Sequence, residues 1–167
     1  MLRIGDPAPD FLLSDLAGSP HHLSDALGRI VILNFWSAEC PWVERVDREL
    51  LSCMQSWDQR VFLMPIAANL SESKEQIAST ARSRGLRQML CADQVCLDAY
   101  GVQITPHLFV MDALGRLRYR GAFDDVTFRQ RTPTRFYLKD AVDRLLAGQL
   151  PDPAETPPYG CAVVRYF

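Results

Sequence analysis

The sequence lacks any apolar run near the roughly 20 residues needed to cross a bilayer, which excludes a membrane-spanning helix as its organising element. Its start, Met1 to Phe11, lacks the basic-then-apolar layout of a secretory signal. Localisation stays open on that ground, tilted toward the cytoplasm by the missing signal. There is no block of like charge, and the formal net charge is only −2. Nothing electrostatic therefore calls for nucleic acid or an anionic membrane, and small molecules or proteins are the expected partners. No internal repeat is present. An even number of cysteines is missing too: Cys40, Cys53, Cys91, Cys96 and Cys161 make five in a chain of 167 residues, large enough to fold without staples. A purely structural disulfide framework is thus unexpected, and at least one thiol should be free or reactive.

What is there reads as one globular domain, 48% apolar and 23% charged. The run Ile30 to Trp36, rich in β-branched and aromatic residues, predicts a buried strand. After it, Val43, Val46, Leu50, Cys53, Met54 and Trp57 recur at helical spacing, with Pro41 in the first turn, where its missing N–H is no loss. A second buried strand spans Val61 to Ala67. Ser73 with Gln76 then forms a capping box for a helix running to about Arg84. A short helix is expected over Gln94 to Tyr100. Next comes a hairpin of His107–Met111 and Leu117–Gly121, turning at Asp112 to Gly115, and a last helix over Phe136 to Ala147 that stops at Gly148. This order predicts a mixed central β-sheet flanked by helices on both faces, an α/β architecture. Residues 1–150 form the domain in this reading. Residues 151–167 form a stiff, extended tail, with four prolines between Pro151 and Pro158, that leaves the packed domain and carries Cys161.

The strand–loop–helix order places Cys40 beside unpaired helix N–H groups and the positive end of the helix dipole, which stabilises a thiolate. The thiolate is the species that attacks disulfides and peroxides. Arg45 adds a favourable charge, Glu39 and Glu44 oppose it, and Glu44 is also a candidate proton relay. Trp42, on the first turn, is placed to shield the sulfur or meet a protein substrate. Cys53 lies on the apolar helix face and reads as core. Cys91 and Cys96, five apart, and the surface pair His21-His22 are too sparse to define a metal site, and none is assigned.

The stretch Asn34-Phe35-Trp36-Ser37-Ala38-Glu39-Cys40-Pro41-Trp42-Val43 resembles the active-site segment of thioredoxin-like proteins. Ile4-Gly5-Asp6-Pro7-Ala8-Pro9-Asp10-Phe11 resembles the opening of the alkyl hydroperoxide reductase/thiol-specific antioxidant (AhpC/TSA) redoxins. Thr105-Pro106 is similar to the family's cis-proline. Gly121-Ala122-Phe123-Asp124-Asp125 and Glu155 to Cys161 look like those of a redoxin subgroup with a Cys-Pro-aromatic-Val site and a late Gly-Cys. The resemblance implies a thioredoxin fold with an N-terminal extension. It implies catalysis by Cys40, with Pro41, Trp42, Thr105 and Pro106 positioning the substrate and no cofactor. Val43 stands where a dithiol thioredoxin has its second cysteine. Leu33 and Ser37 stand where a typical peroxiredoxin has Pro and Thr.

A lone thiol that has reacted needs a second one to release it. Cys161 is the first candidate: thirteen extended residues from Gly148 reach roughly 40 Å at about 3.1 Å each. The expected activity is thiol-disulfide exchange or thiol-dependent peroxide reduction, with a disulfide-bearing protein, small disulfide or peroxide as substrate and an external thiol as reductant. The rival expectation, favoured by Val43, is a redox-inactive binding or chaperone-like module on the same fold.

Overall fold

The computed structural model describes residues 1–165. The described residues form nine short strands, β1 (Leu12–Ser14), β2 (Pro20–His22), β3 (Ile30–Trp36), β4 (Val61–Ala67), β5 (Leu90–Cys91), β6 (Ile104–Thr105), β7 (His107–Met111), β8 (Leu117–Gly121) and β9 (Cys161–Ala162), together with four α-helices. These are α1 (Pro41–Trp57), α2 (Lys74–Ser83), α3 (Gln94–Tyr100) and α4 (Tyr137–Leu146). Among the described residues no helix is long and apolar enough to cross a membrane.

The central sheet has the order β5-β4-β3-β7-β8. β3 runs parallel to β4 and antiparallel to β7, which makes the sheet mixed. Every residue of β3 is buried, as expected of a central strand covered on both faces. Its alternation divides the core. Val31, Leu33 and Phe35 pack with Leu97 and Tyr100 of α3 and with Phe11 and Leu13 from the N-terminal extension. Ile30 and Ile32 pack on the opposite face with Leu50 and Trp57 of α1 and Leu138 and Val142 of α4. Trp36, at the end of β3, joins Val43 of α1 and Ile77 of α2 in a third cluster that contains Cys40. This mixed sheet with helices on both faces is the thioredoxin fold.

The long elements lie where periodicity placed them. The small ones were not anticipated: β1 pairs with β2, and β5 adds to the sheet edge beside β4. The tail differs from expectation as well. It does not leave the domain but lies along it, because two glycines allow backbones to touch. A Cβ on Gly121 would sit 2.2 Å from Thr156 O, and one on Gly160 would sit 1.9 Å from Thr105 O. Between these points Thr156 Oγ1 bonds with Tyr119 OH (2.7 Å) and accepts from the Ala122 amide (3.0 Å). Beyond them β9 pairs with β6, and the Val164 amide donates to Asn69 Oδ1 (2.7 Å).

His107 opens β7 with its ring against Phe109, centroids 4.4 Å apart, and its Nδ1 has no hydrogen-bond partner among the described residues. Only 8% of the residue is exposed. Burial, reinforced by the charge of Arg120, lowers its pKa from 6.5 to about 4. A histidine that refuses its proton when folded and accepts it when unfolded stabilises fully above pH 6.5 and progressively less as pH falls toward 4. The loss over that window is about 3 kcal/mol. Urea unfolding at a series of pH values should show this extra slope in the parent and not in His107→Leu. Identical slopes in the two proteins would refute the assignment.

Candidate active site

Three sets of contacts fix the loop between β3 and α1. At the end of β3 the indole of Trp36 donates to Asp47 Oδ2 on α1 (2.8 Å). The same oxygen accepts from Arg84 Nη1 (3.0 Å), and Arg84 Nη2 donates to Ala38 O (3.1 Å). Burial pushes the Asp47 carboxyl upward, against the opposing pull of these two donors. On the other side of the loop the buried carboxylate of Glu72 accepts the amides of Ala38 and Glu39, each at 3.0 Å. Ser37 Oγ lies 2.9 Å from Thr105 Oγ1, with both residues fully buried.

Cys40 follows as the N-cap of α1 in an extended conformation, with Pro41 at the first helical position. Its sulfur is bonded to that of Cys161, across 121 residues, with the two Cα atoms 6.0 Å apart. Cys40 is only 3% exposed, whereas Cys161 is half-buried. The peptide between Thr105 and Pro106 is cis, and Cys40 Sγ lies 3.5 Å from Thr105 O. In β9, Cys161 stands opposite Thr105 in an antiparallel pair, so strand pairing and the disulfide address the same point. Trp42 on the first turn of α1 meets the ring of Tyr159 edge-on, centroids 4.9 Å apart. The structure thus brings Cys40, Cys161, Pro41, Trp42, Thr105 and Pro106 together. Glu44 sits exposed on the first turn.

One electrostatic expectation is corrected. Arg45 is not available as a free charge for the sulfur. Its guanidinium is held in a fork by buried Asp124, with Nη1–Oδ2 at 3.0 Å and Nη2–Oδ1 at 2.5 Å. An acid in the turn after β8 thereby cancels much of that positive charge, and the helix N-terminus is left as the main stabiliser of a Cys40 thiolate. The other cysteines are free thiols. Cys96 is in the core, its thiol pushed up to about 12 by burial and then by Asp93. Burial raises Cys53 and Cys91 also. Among the described residues no group of three or more His, Cys, Asp or Glu side chains is arranged to hold a metal ion.

Asp47, Glu72 and Arg84 were not singled out by the sequence. Their partners are 11 to 46 residues away, and no local pattern announces them.

A thioredoxin fold with Cys40 at the N-terminus of α1, bonded to a second cysteine and beside a cis-proline, is the scaffold of a thiol-disulfide oxidoreductase. The chain belongs to the AhpC/TSA family, which matches residues 4–120. It is 34% identical over 119 residues to the thiol-disulfide oxidoreductase ResA of Geobacillus thermodenitrificans, covering 70% of this chain and 68% of that one. The thioredoxin-like protein YneN of Bacillus subtilis is 28% identical over 122 residues, covering 68% of each chain. Among solved structures, a hypothetical protein from Sinorhizobium meliloti 1021 superposes with a TM-score of 0.86 at 27% identity, over 98% of this chain and 94% of its own. An uncharacterized conserved protein from Geobacillus kaustophilus gives a TM-score of 0.88 at 26% identity, over 99% of this chain and 94% of its own. The protein is an oxidoreductase of the thiol-disulfide class.

The helix-end placement of Cys40 predicts a pKa below the roughly 8.5 of a free cysteine once the disulfide is reduced. The rate of alkylation of Cys40 in reduced Cys161→Ser, followed by mass spectrometry against pH, measures it. A midpoint at or above the free-thiol value would remove the case for an activated nucleophile.

Proposed function

We propose that the protein reduces disulfides by exchange, with Cys40 as nucleophile and Cys161 as resolving thiol. The observation that carries this reading is the Cys40–Cys161 disulfide itself, closed over the N-terminus of α1. Starting from the dithiol, the Cys40 thiolate attacks one sulfur of a substrate disulfide. A Cys40–substrate bond forms as the substrate's own S–S bond breaks, and the departing sulfur leaves as a thiolate. Cys161, as thiolate, then attacks the Cys40 sulfur, and the second substrate sulfur leaves. Two electrons have passed to the substrate, and the Cys40–Cys161 bond has formed. An external thiol reductant restores the dithiol. In this scheme Pro41, Trp42, Thr105 and Pro106 position the partner sulfur. Residues 1–150 supply the reactive domain, and the tail from residue 151 supplies the second thiol.

Disulfide exchange is favoured over peroxide reduction by the neighbours of the sulfur. Leu33, in the place of a peroxiredoxin's proline, is fully buried in the core. Ser37, in the place of its threonine, has its hydroxyl engaged with Thr105. Neither offers a polar contact that would orient a peroxide. The redox-inactive alternative is disfavoured by the Cys40–Cys161 pair, since Val43 removes only the usual location of a second thiol.

Cys40→Ser should abolish turnover of a disulfide substrate, whereas Cys161→Ser should permit the first attack and accumulate Cys40 as a mixed disulfide visible by intact mass. The oxidised parent should also withstand more denaturant than the reduced one, by up to about 5 kcal/mol for a closed loop of this length. Unimpaired turnover by Cys161→Ser would show that the tail is not the resolver. Unimpaired turnover by Cys40→Ser would remove the reading altogether.

A further inference from the structure

The tail does more than deliver a sulfur: it lies in a groove with distinct demands at successive residues. At Cys161 the chain pairs with Thr105, and its sulfur meets Cys40. One residue earlier there is no room for a side chain. A Cβ at Gly160 would sit 1.9 Å from Thr105 O and 2.9 Å from Pro106 Cδ. Both are parts of the domain wall: one is backbone, the other belongs to a rigid ring. One residue earlier still, Tyr159 meets Trp42 edge-on and borders a small cleft with Pro106, Phe123 and Val126. Its hydroxyl accepts a hydrogen bond from the Phe128 amide (2.8 Å). These surfaces belong to α1, to the β6–β7 junction and to the segment after β8, so they would present themselves to any chain laid in the groove.

We propose that polypeptide substrates enter this same groove, and that it selects a glycine immediately before the reacting cysteine and an aromatic residue before that glycine. The tail segment Tyr159-Gly160-Cys161 is then an internal copy of the preferred substrate. The proposal rests on the thiol-exchange reading above and names its substrate class: an extended segment with the order aromatic–Gly–Cys. Such a segment adds as an antiparallel strand to Ile104–Thr105, as β9 does, with main-chain hydrogen bonds giving affinity and the positions before the cysteine giving selectivity. Rejection of a side chain is the stronger criterion, because a Cβ forced against a carbonyl oxygen needs backbone movement, whereas loss of an aromatic ring forfeits only contact. Substrate and tail cannot occupy the groove together. Docking of the tail after Cys161 attacks therefore also expels the product strand.

The test uses reduced full-length Cys161→Ser and peptides of sequence Thr-Pro-Pro-Tyr-Gly-Cys-Ala-Val whose cysteine is activated as the disulfide with thionitrobenzoate. The Cys40 thiolate attacks the peptide sulfur, the Cys40–peptide disulfide forms, and thionitrobenzoate leaves as the coloured anion. The double variant Cys40→Ser/Cys161→Ser supplies the background from the other thiols. The Gly peptide should react about tenfold or more faster than the same peptide with Ala before cysteine. Replacing its Tyr by Ala should slow it several-fold. Adding Gly160→Ala to the Cys161→Ser protein should unseat the tail and speed the Gly peptide. Equal rates for the Gly and Ala peptides would overturn the selectivity. A control with the symmetrical thionitrobenzoate disulfide separates the two levels. If that small reagent labels Cys40 while the peptides are not discriminated, only this proposal fails. If Cys40 reacts with neither, the exchange reading fails first.

Discussion

The buried carboxylate of Asp47 is the contact on which the site's geometry hangs. It takes a hydrogen bond from Trp36 at the end of β3 and another, charge-assisted, from Arg84 just past α2, while Arg84 also holds the carbonyl of Ala38. One side chain of α1 thus ties the central strand, the helix that bears Cys40 at its start, and the loop between them. Such a buried pair is not strong evidence of net stability, since desolvation of both charges opposes their attraction. Its value is in specifying position: removing Arg84 leaves the Asp47 carboxyl buried without its cationic partner, which is far more costly than losing a surface pair. Glu72 acts from the other side by binding the amides of Ala38 and Glu39. Both sides of the loop are thus tied down, and Cys40 is held at the N-terminus of α1, where the helix dipole favours negative charge.

This division explains what was legible beforehand. Ile30–Trp36 and the helix from Pro41 could be read because burial on two faces and burial on one face leave different periodicities in the chain. Strands of two or three residues, such as β5 and β6, leave no period to detect. Cys40 was readable from its place between strand and proline. Asp124 was not readable as a partner of Arg45, because an acid after a strand has the same appearance whether it faces solvent or a buried guanidinium. The tail shows the same limit. Proline content gives stiffness, but direction came from two missing side chains, at Gly121 and Gly160, whose effect depends on what lies opposite.

The tail's many attachments bear on how the redox pair behaves. Apart from the disulfide, it is held at Thr156, at Tyr159, along β9 and at Val164, and Arg165 pairs with Asp98. None of these contacts runs through the S–S bond, so in the exchange reading they hold the tail in place after reduction, with Cys161 beside Cys40 at a high effective concentration. A substrate strand must compete with a docked segment, and that competition, rather than the reach of the tail, governs entry to the groove.

The asymmetry between the two sulfurs then sets the direction of reduction. Cys40 is 3% exposed beneath the tail, and Cys161 is half-buried. In the exchange reading, an outside thiolate therefore meets the bond at Cys161 and expels Cys40. The leaving group is the sulfur at the helix N-terminus, and a thiol of lowered pKa leaves faster. Attack at Cys40 instead would require the tail to lift first, and it would expel Cys161, which has no helix end to stabilise it. The helix dipole thus serves two steps, favouring Cys40 as the nucleophile toward substrate and as the departing thiolate toward reductant.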